Sequence, residues 1–446
     1  MLGILISEAD SASVTIEHAL RQLAPWERAR SDAPAGAGGG SYYRLGGPDP
    51  VEMRRFETLH LNLERPAEAF SERPDLLVFA SRHAGQTGPL LTAHTPGNFG
   101  DADYGGEPRS LPAAAPAALG VLRNALGELA PERYEVGMEC THHGPTDVGC
   151  PSLFAELGSS ENEWTDPVGA AALAEAILEL RGVEPTADRS LLGLGGGHYT
   201  HRFERLVVDT DWSVGHVAAD WAIEELGELR AHPDLLERAF DATDTRRVLL
   251  DGDADTTGVR AWLDDHGYEA VSETWLRETS GVPGALVGAV EAALGPVETG
   301  TRFGERTTPA AEWVEQDLPA ELLQECTNID IDRTRALVAR HTVAFDTTEG
   351  GTIPTADVVA GEGARQEIVA GCLAILRERY DAVEGKADGD RVVVRIQRFD
   401  AEKAQTLGVP EGPAFGRLAA GEPIEVDGRA IEPGAVRTTE EREFDL

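Results

Sequence analysis

The stretch CTHHGPTDVGCPSLFAELGSSENEW, residues 140–164, sets two adjacent histidines, a Gly-Pro break and a glutamate among apolar neighbours within a short span. Just before it, Tyr134, Val136, Met138 and Cys140 alternate with Glu135, Gly137, Glu139 and Thr141, the period-two pattern of a strand. Gly144-Pro145 ends that strand and leaves His142 and His143 at its carboxyl end. Neighbouring side chains of a regular strand point to opposite faces. Both histidines therefore reach one metal only if the strand end is distorted; otherwise one ligates while the other orients substrate, or each serves a different cluster. Ser152 to Leu157 reads as a second strand, with Phe154 and Glu156 on one face and Leu153, Ala155 and Leu157 on the other. A carboxylate in such a run needs a partner. A structural salt bridge for Glu156 and hydrogen-bonded core histidines account for these residues as well as a catalytic site does.

The other histidine-bearing stretches favour a site. Leu76–Ala80 runs into Ser81-Arg82-His83, Leu90–Ala93 runs into His94, and Leu191–Leu194 runs into three glycines and His198. Strand ends are where open α/β sheets bind ligands, and glycines there allow positive φ or close approach of the backbone. Gly193 to His198 is a poor dinucleotide fingerprint, because no helical pattern follows it. Several histidines, each beside Gly or Pro at a strand end, suggest one convergent site with the donor chemistry of zinc.

Helix patterns at 11–23, 112–129, 166–180 and 214–229 alternate with these strands, and a strand at 247–251, a helix through Trp262 and a strand near Ala270-Val271 continue the theme. The class expected is α/β, an open sheet with helices on both faces. Residues 31–40, SDAPAGAGGG, read as a surface loop between the first helix and the next strand. Turn residues at Ser280–Pro283 mark a boundary, beyond which His341 is the only histidine. A catalytic domain over 1–280 and a smaller accessory α+β domain over 281–446 are expected.

The blocks SRH (81–83), LTAHTPGN (91–98), YGG (104–106), THHGPTDVGCPSLFAELGSSENEW (141–164) and GGGHYTHRF (195–203), with the opening ISEADSASVTI (6–16), resemble the archaeal and plant type of D-aminoacyl-tRNA deacylase. The resemblance covers about the first 280 residues and is most specific in the THHGPT block. It implies a zinc-dependent hydrolase that frees tRNA from wrongly esterified D-amino acids, on a peptidyl-tRNA hydrolase- or phosphorylase-like fold. Carried onto these motifs, it implies metal ligands among His83, His94, His142 and His198, chemistry at His143 and Glu156, and substrate contacts at Arg82, Asn98, Thr146, Ser159 and Tyr199. Either Glu156 or His143 serves as general base. Residues 408–436 resemble a segment of ribonuclease Z, but the H-x-H-x-D-H metal motif of that family is missing, so the segment carries no nuclease chemistry. Two rivals stand beside this reading: a zinc amidohydrolase or peptidase acting on small molecules, and a non-catalytic tRNA-binding protein with structural histidines.

The chain of 446 residues has 39 Lys plus Arg against 78 Asp plus Glu, a formal net charge of −39, and its only lysines are Lys386 and Lys403. Periodic apolar runs and 41% hydrophobic residues exclude an acidic disordered chain. Four cysteines without C-x-x-C spacing, no signal-peptide pattern and no long apolar run point to a cytoplasmic protein without a membrane span. Contacts with tRNA phosphates are expected from Arg54 and Arg55, Arg202 and Arg205, or Arg391, Arg395 and Arg398. So acidic a surface is self-repelling unless salt screens it, which marks a protein adapted to a salt-rich cytosol. Circular dichroism should show secondary structure lost when molar KCl is exchanged for dilute buffer; a chain equally folded in both would refute this adaptation.

Overall fold

The computed structural model describes residues 1–252, 256–306, 312–386 and 389–446, which form two compact units, Met1–Gly281 and Val282–Leu446. The first unit is built on an eight-stranded sheet ordered Glu27–Ser31, Gly40–Leu45, Val51–Phe56, Leu2–Ser7, Leu76–Arg82, Ser152–Gly158, Leu90–His94 and Glu135–Met138. Leu2–Ser7 pairs in parallel with Val51–Phe56 and Leu76–Arg82, and Leu76–Arg82 in parallel with Ser152–Gly158. Ser152–Gly158 then meets Leu90–His94 antiparallel. Helices Ser11–Leu23, Pro116–Leu129 and Pro167–Leu178 pack together over these strands. An apolar cluster of Leu5, Phe56, Leu77, Phe79 and Phe154 is completed by Leu63, Ala67 and Phe70, from the short 3₁₀ turns His60–Asn62 and Pro66–Ala69 and the residues beside them.

A second, parallel sheet of the same unit runs Ser213–Ala218, Ser190–Leu194, Arg247–Leu250, Glu269–Val271. Helices pack against both of its faces: Leu192, Leu194 and Val248 share a core with Leu236 and Phe240, while the Phe203 ring lies against Gly193. A Cβ at Gly193 would stand 2.9 Å from that ring, so glycine sets the approach of helix His201–Asp209. The helix expected over 214–229 is instead the strand Ser213–Ala218 followed by the helix Asp220–Leu226. Val214 to Ala218 are buried on both faces, and a strand buried that way reads as a continuous apolar run rather than an alternation. The loop expected over 31–40 is preceded by an unanticipated strand, Glu27–Ser31. That strand is polar and largely exposed at the sheet edge, so it carries no period-two signal.

The second unit contains a four-stranded antiparallel sheet, a three-stranded sheet of Ala382–Gly385, Arg391–Phe399 and Arg437–Asp445, and a hairpin of Ile424–Val426 with Arg429–Ile431. Helices Ala320–Ile329, Ile331–His341 and Ala364–Arg379 close its core around Leu322, Phe345, Leu376 and Phe444.

Helix Pro167–Leu178 depends on its cap. Asp166 accepts from the Val168 and Gly169 amides at 3.1 and 3.2 Å, from the Tyr134 hydroxyl at 2.7 Å, and from Arg133. Burial opposes its charge, but Tyr134, Arg133 and the two amides outweigh it and hold the carboxyl below its ordinary value. A lowered carboxyl contributes stability that is complete above the unfolded value, about 3.9, and is lost as pH falls through the folded one. Asp166→Ala should therefore cost about 1–2 kcal/mol in denaturant unfolding at neutral pH, and the gap from wild type should narrow below about pH 4. A gap independent of pH would contradict this account of the cap.

Candidate active site

The strand registers place the site. Glu156 pairs with Ser81 on one side and Thr92 on the other, and His94 pairs with Phe154. Side chains two apart share a face, so Glu156, Phe154, Phe79, Ser81 and His94 lie on one face of the sheet, and His83 continues that row beyond Arg82. Leu90–His94 pairs with Glu135–Met138 through Ala93 and Met138, which carries Glu139 alongside His94. Phe154 stacks between Phe79 and His94, with centroids at 4.6 and 5.0 Å. The site thus combines Glu156, within its strand, with histidines at or just beyond the carboxyl ends of the neighbouring strands, as expected.

His198 comes from the second sheet. The Cys140 amide bonds the His198 carbonyl at 2.9 Å and the Thr141 amide bonds the Val217 carbonyl at 2.9 Å, fastening the segment before the histidine pair to that sheet. Beyond Met138 the chain is no longer a regular strand, and the rings of His142 and His143 come within 4.5 Å of each other. The distortion required for both to face one centre is present.

Two buried carboxylates hold the middle. Glu156 Oε1 lies 3.7 Å from His94 Nε2 and 3.9 Å from His143 Nε2, while its Oε2 is 3.7 Å from His83 Nδ1. Glu139 accepts from His198 Nε2 at 2.8 Å and stands 3.1 Å from His83 Nδ1 and 3.9 Å from His142 Nε2. Burial raises both carboxyls, yet His198 and His83 hold Glu139 well below the usual range, and His83 and His94 bring Glu156 down to about 2. Burial lowers His83, but Glu139 and Glu156 overcome it and raise the imidazole to about 10; His94 is raised in the same way, mainly by Glu156. Burial and then the neighbouring imidazoles push His142 well below its ordinary value and His143 down to about 4.

Three histidines share one arrangement of their ring nitrogens. His94, His142 and His143 each direct Nδ1 at a backbone carbonyl, of Thr95, Cys140 and Gly144, at 3.3, 2.8 and 2.7 Å. A carbonyl accepts, so Nδ1 carries the hydrogen, and in the neutral ring Nε2 keeps its lone pair, as ligating histidines are usually held. Among the described residues the buried His94 Nε2 has no hydrogen-bond partner. Ligand atoms of His94, His142 and His143 lie within 4.8 Å of one another, as do those of His83, Glu139 and Glu156, and of Cys140, His142 and His198. The donor set, mainly imidazole nitrogen and carboxylate oxygen, is one that zinc accepts.

The cluster forms one wall of a cavity of about 530 Å³ that is also lined by Asp10, His60, Arg82 and Tyr104. Arg82 reaches it with its guanidinium 5.1 Å above the Trp164 ring, and the Tyr199 hydroxyl meets His83 Nε2 at 3.1 Å. Other expected substrate contacts are committed elsewhere. Asn98 gives its amide hydrogens to the carbonyls of Gly105 and Glu107, Thr146 Oγ1 accepts the Glu107 amide, and Ser159 Oγ donates to the Gly88 carbonyl. None of these three lines the cavity; each braces a loop beside it.

The expected arginine clusters are also corrected. Arg54 is buried on Glu52, Arg55 pairs with Glu8 and Glu17, and Arg202 and Arg205 share Glu273. Arg391, Arg395 and Arg398 pair across their sheet with Glu443, Glu441 and Glu440. Each of these guanidiniums has a carboxylate partner; Arg54 is buried, while Arg205, Arg391, Arg395 and Arg398 keep 39–56% of their side chains exposed. Sequence reasoning also missed Glu139, Asp10 and His60. Glu139 was legible as a carboxylate two residues before THH on the strand face opposite Tyr134, Val136 and Met138. Asp10 looks like an ordinary helix cap, which it is, but its Oδ2 also accepts the Arg82 amide at 3.0 Å. All four cysteines are buried free thiols, and no helix among the described residues is long and apolar enough to cross a membrane.

Known proteins resemble this chain over its whole length. A family model described as D-aminoacyl-tRNA deacylase matches residues 70–271. Proteins named D-aminoacyl-tRNA deacylase from Natronomonas pharaonis and Haloarcula marismortui are 47% and 44% identical, each aligned over 100% of both chains. One from Methanoregula boonei is 36% identical over 82% of this chain and 84% of its own. A crystal structure titled as a conserved protein of unknown function superposes with a TM-score of 0.55 at 27% identity, covering 63% of this chain and 98% of the other. Aligned over its whole length with the first two of these relatives, the chain belongs to the D-aminoacyl-tRNA deacylase family.

Proposed function

We propose that the carboxylate–histidine cluster hydrolyses the ester between a D-amino acid and the terminal ribose of tRNA, using a zinc ion held by His94, His142, His143 and Glu156. The observation that carries this reading is the trio of imidazoles whose Nδ1 atoms are spent on carbonyls. Their Nε2 atoms are left to a ligand. Zinc would polarise the ester carbonyl and lower the pKa of a bound water to about 7.

The remaining groups handle orientation and protons. Glu139, buried with its Oε1 facing His83 Nδ1 at 3.1 Å, would accept the proton of the attacking water. His83, between Glu139 and Glu156 and steadied by Tyr199, can pass a proton to the departing ribose oxygen. This assignment moves His143 from base to ligand and places His83 and His198 around the carboxylates. The tRNA partner implies a cytoplasmic setting, and the charge of −39 is consistent with working in molar salt.

Metal analysis and kinetics separate the two glutamates. Glu156→Gln should lower zinc content, since an amide is a poorer ligand than a carboxylate. Glu139→Gln should keep its zinc while hydrolysis of D-aminoacyl-tRNA falls by roughly 10² to 10⁴. Full metal and near-normal turnover in both variants would refute the assignment.

A further inference from the structure

Tyr104 is a wall of the cavity that the hydrolytic groups do not use. Its side chain is 66% exposed. An exposed tyrosine is ordinary in itself; the loop that carries it is not. Gly105 and Gly106 both have positive φ, +82° and +75°, and a Cβ on Gly105 would lie 2.3 Å from the Leu61 carbonyl oxygen. Asn98, 2% exposed, gives its amide hydrogens to the Gly105 and Glu107 carbonyls at 2.8 and 3.2 Å. Thr146 accepts the Glu107 amide at 2.9 Å. The Tyr104 carbonyl accepts the amide of Gly144, the residue after His143, at 3.2 Å. The backbone that carries this open aromatic ring is thus held at a fixed place relative to the histidine pair.

We propose that Tyr104 is the platform on which the terminal adenine of tRNA stacks while its aminoacyl ester lies in the cavity. This rests on the deacylase reading and specifies how that site holds its substrate. The scissile ester and the adenine are attached to the same ribose, so a base must lie close to the cavity mouth whenever the ester is inside. Stacking on an aromatic ring contributes about 1–3 kcal/mol per base and depends little on sequence. Phosphate contacts weaken as salt rises, and the arginine clusters at 54–55 and 202–205 are spent on carboxylates. A strongly acidic protein is therefore better served at this position by a flat uncharged surface. Asn98 and Thr146 act as positioning residues for that surface.

Two variants and two probes test the platform. With D-aminoacyl-tRNA in molar KCl, Tyr104→Ala should lose about 5- to 160-fold in kcat/KM, Tyr104→Phe should stay near wild type, and zinc content should be unchanged in both. Adenosine 5′-monophosphate, followed by equilibrium dialysis, should bind wild type and Tyr104→Phe and bind Tyr104→Ala more weakly by a similar factor. Undiminished activity of Tyr104→Ala on tRNA, or equal affinity of all three for the nucleotide, would overturn the proposal. Nucleotide binding through Tyr104 in a wild-type protein that leaves D-aminoacyl-tRNA intact would keep the platform and remove the deacylase reading.

Discussion

Two carboxylates buried at the floor of one cavity, Glu139 and Glu156, set the constraint that the first unit satisfies. An ionised carboxylate taken out of water without partners costs several kcal/mol, and these two are neighbours. Imidazoles answer the charge: His83 stands between them, His198 donates to Glu139, and His94 and His143 face Glu156. No single segment supplies these groups. Three strands of the large sheet contribute Glu156, His94 and the approach to His83, an irregular strand end contributes Glu139 and the histidine pair, and the second sheet contributes His198. His216, buried between Thr141 and the Pro112 carbonyl, helps to join the two sheets without entering the chemistry.

The same charge economy shapes the rest of the protein. Acids outnumber bases two to one, and many of the arginines pair with them. Glu325 in the second unit is buried beneath Arg379, Arg442 and the Tyr380 hydroxyl. Arginine here is an internal counterion more than a hand for phosphate. Recognition of a nucleic acid by such a surface falls to contacts that salt does not screen, which is why an open ring beside the cavity matters.

Much of the site was legible because its residues are chemically conspicuous. His83, His94, His142, His143, Glu156 and His198 each stand beside a strand end or a Gly or Pro break, and the structure gathers all six. Period two placed Phe154 and Glu156 on one face, as their stacking and pairing show. Glu139 escaped because in an alternating pattern its position belongs to the side taken for solvent; only the register of Ala93 with Met138 turns it toward His94. Asn98 and Thr146 were read as substrate contacts from their motifs, whereas their hydrogen bonds go to loop backbone. The strand Ser213–Ala218 was missed because a strand buried on both faces has no alternation to read, and Glu27–Ser31 because an exposed edge strand has no apolar face. The arginine clusters misled because adjacency in sequence does not reveal the acids that lie opposite in space.

X-ray absorption at the zinc edge of the wild-type protein tests the central claim, that histidines and a carboxylate around Glu156 hold the ion, while Cys140, with its thiol raised by burial to about 12, stays outside. The account predicts a first shell of nitrogen and oxygen only, at about 2.0–2.2 Å. A sulfur scatterer near 2.3 Å, or protein purified in molar salt that takes up no zinc, would contradict it.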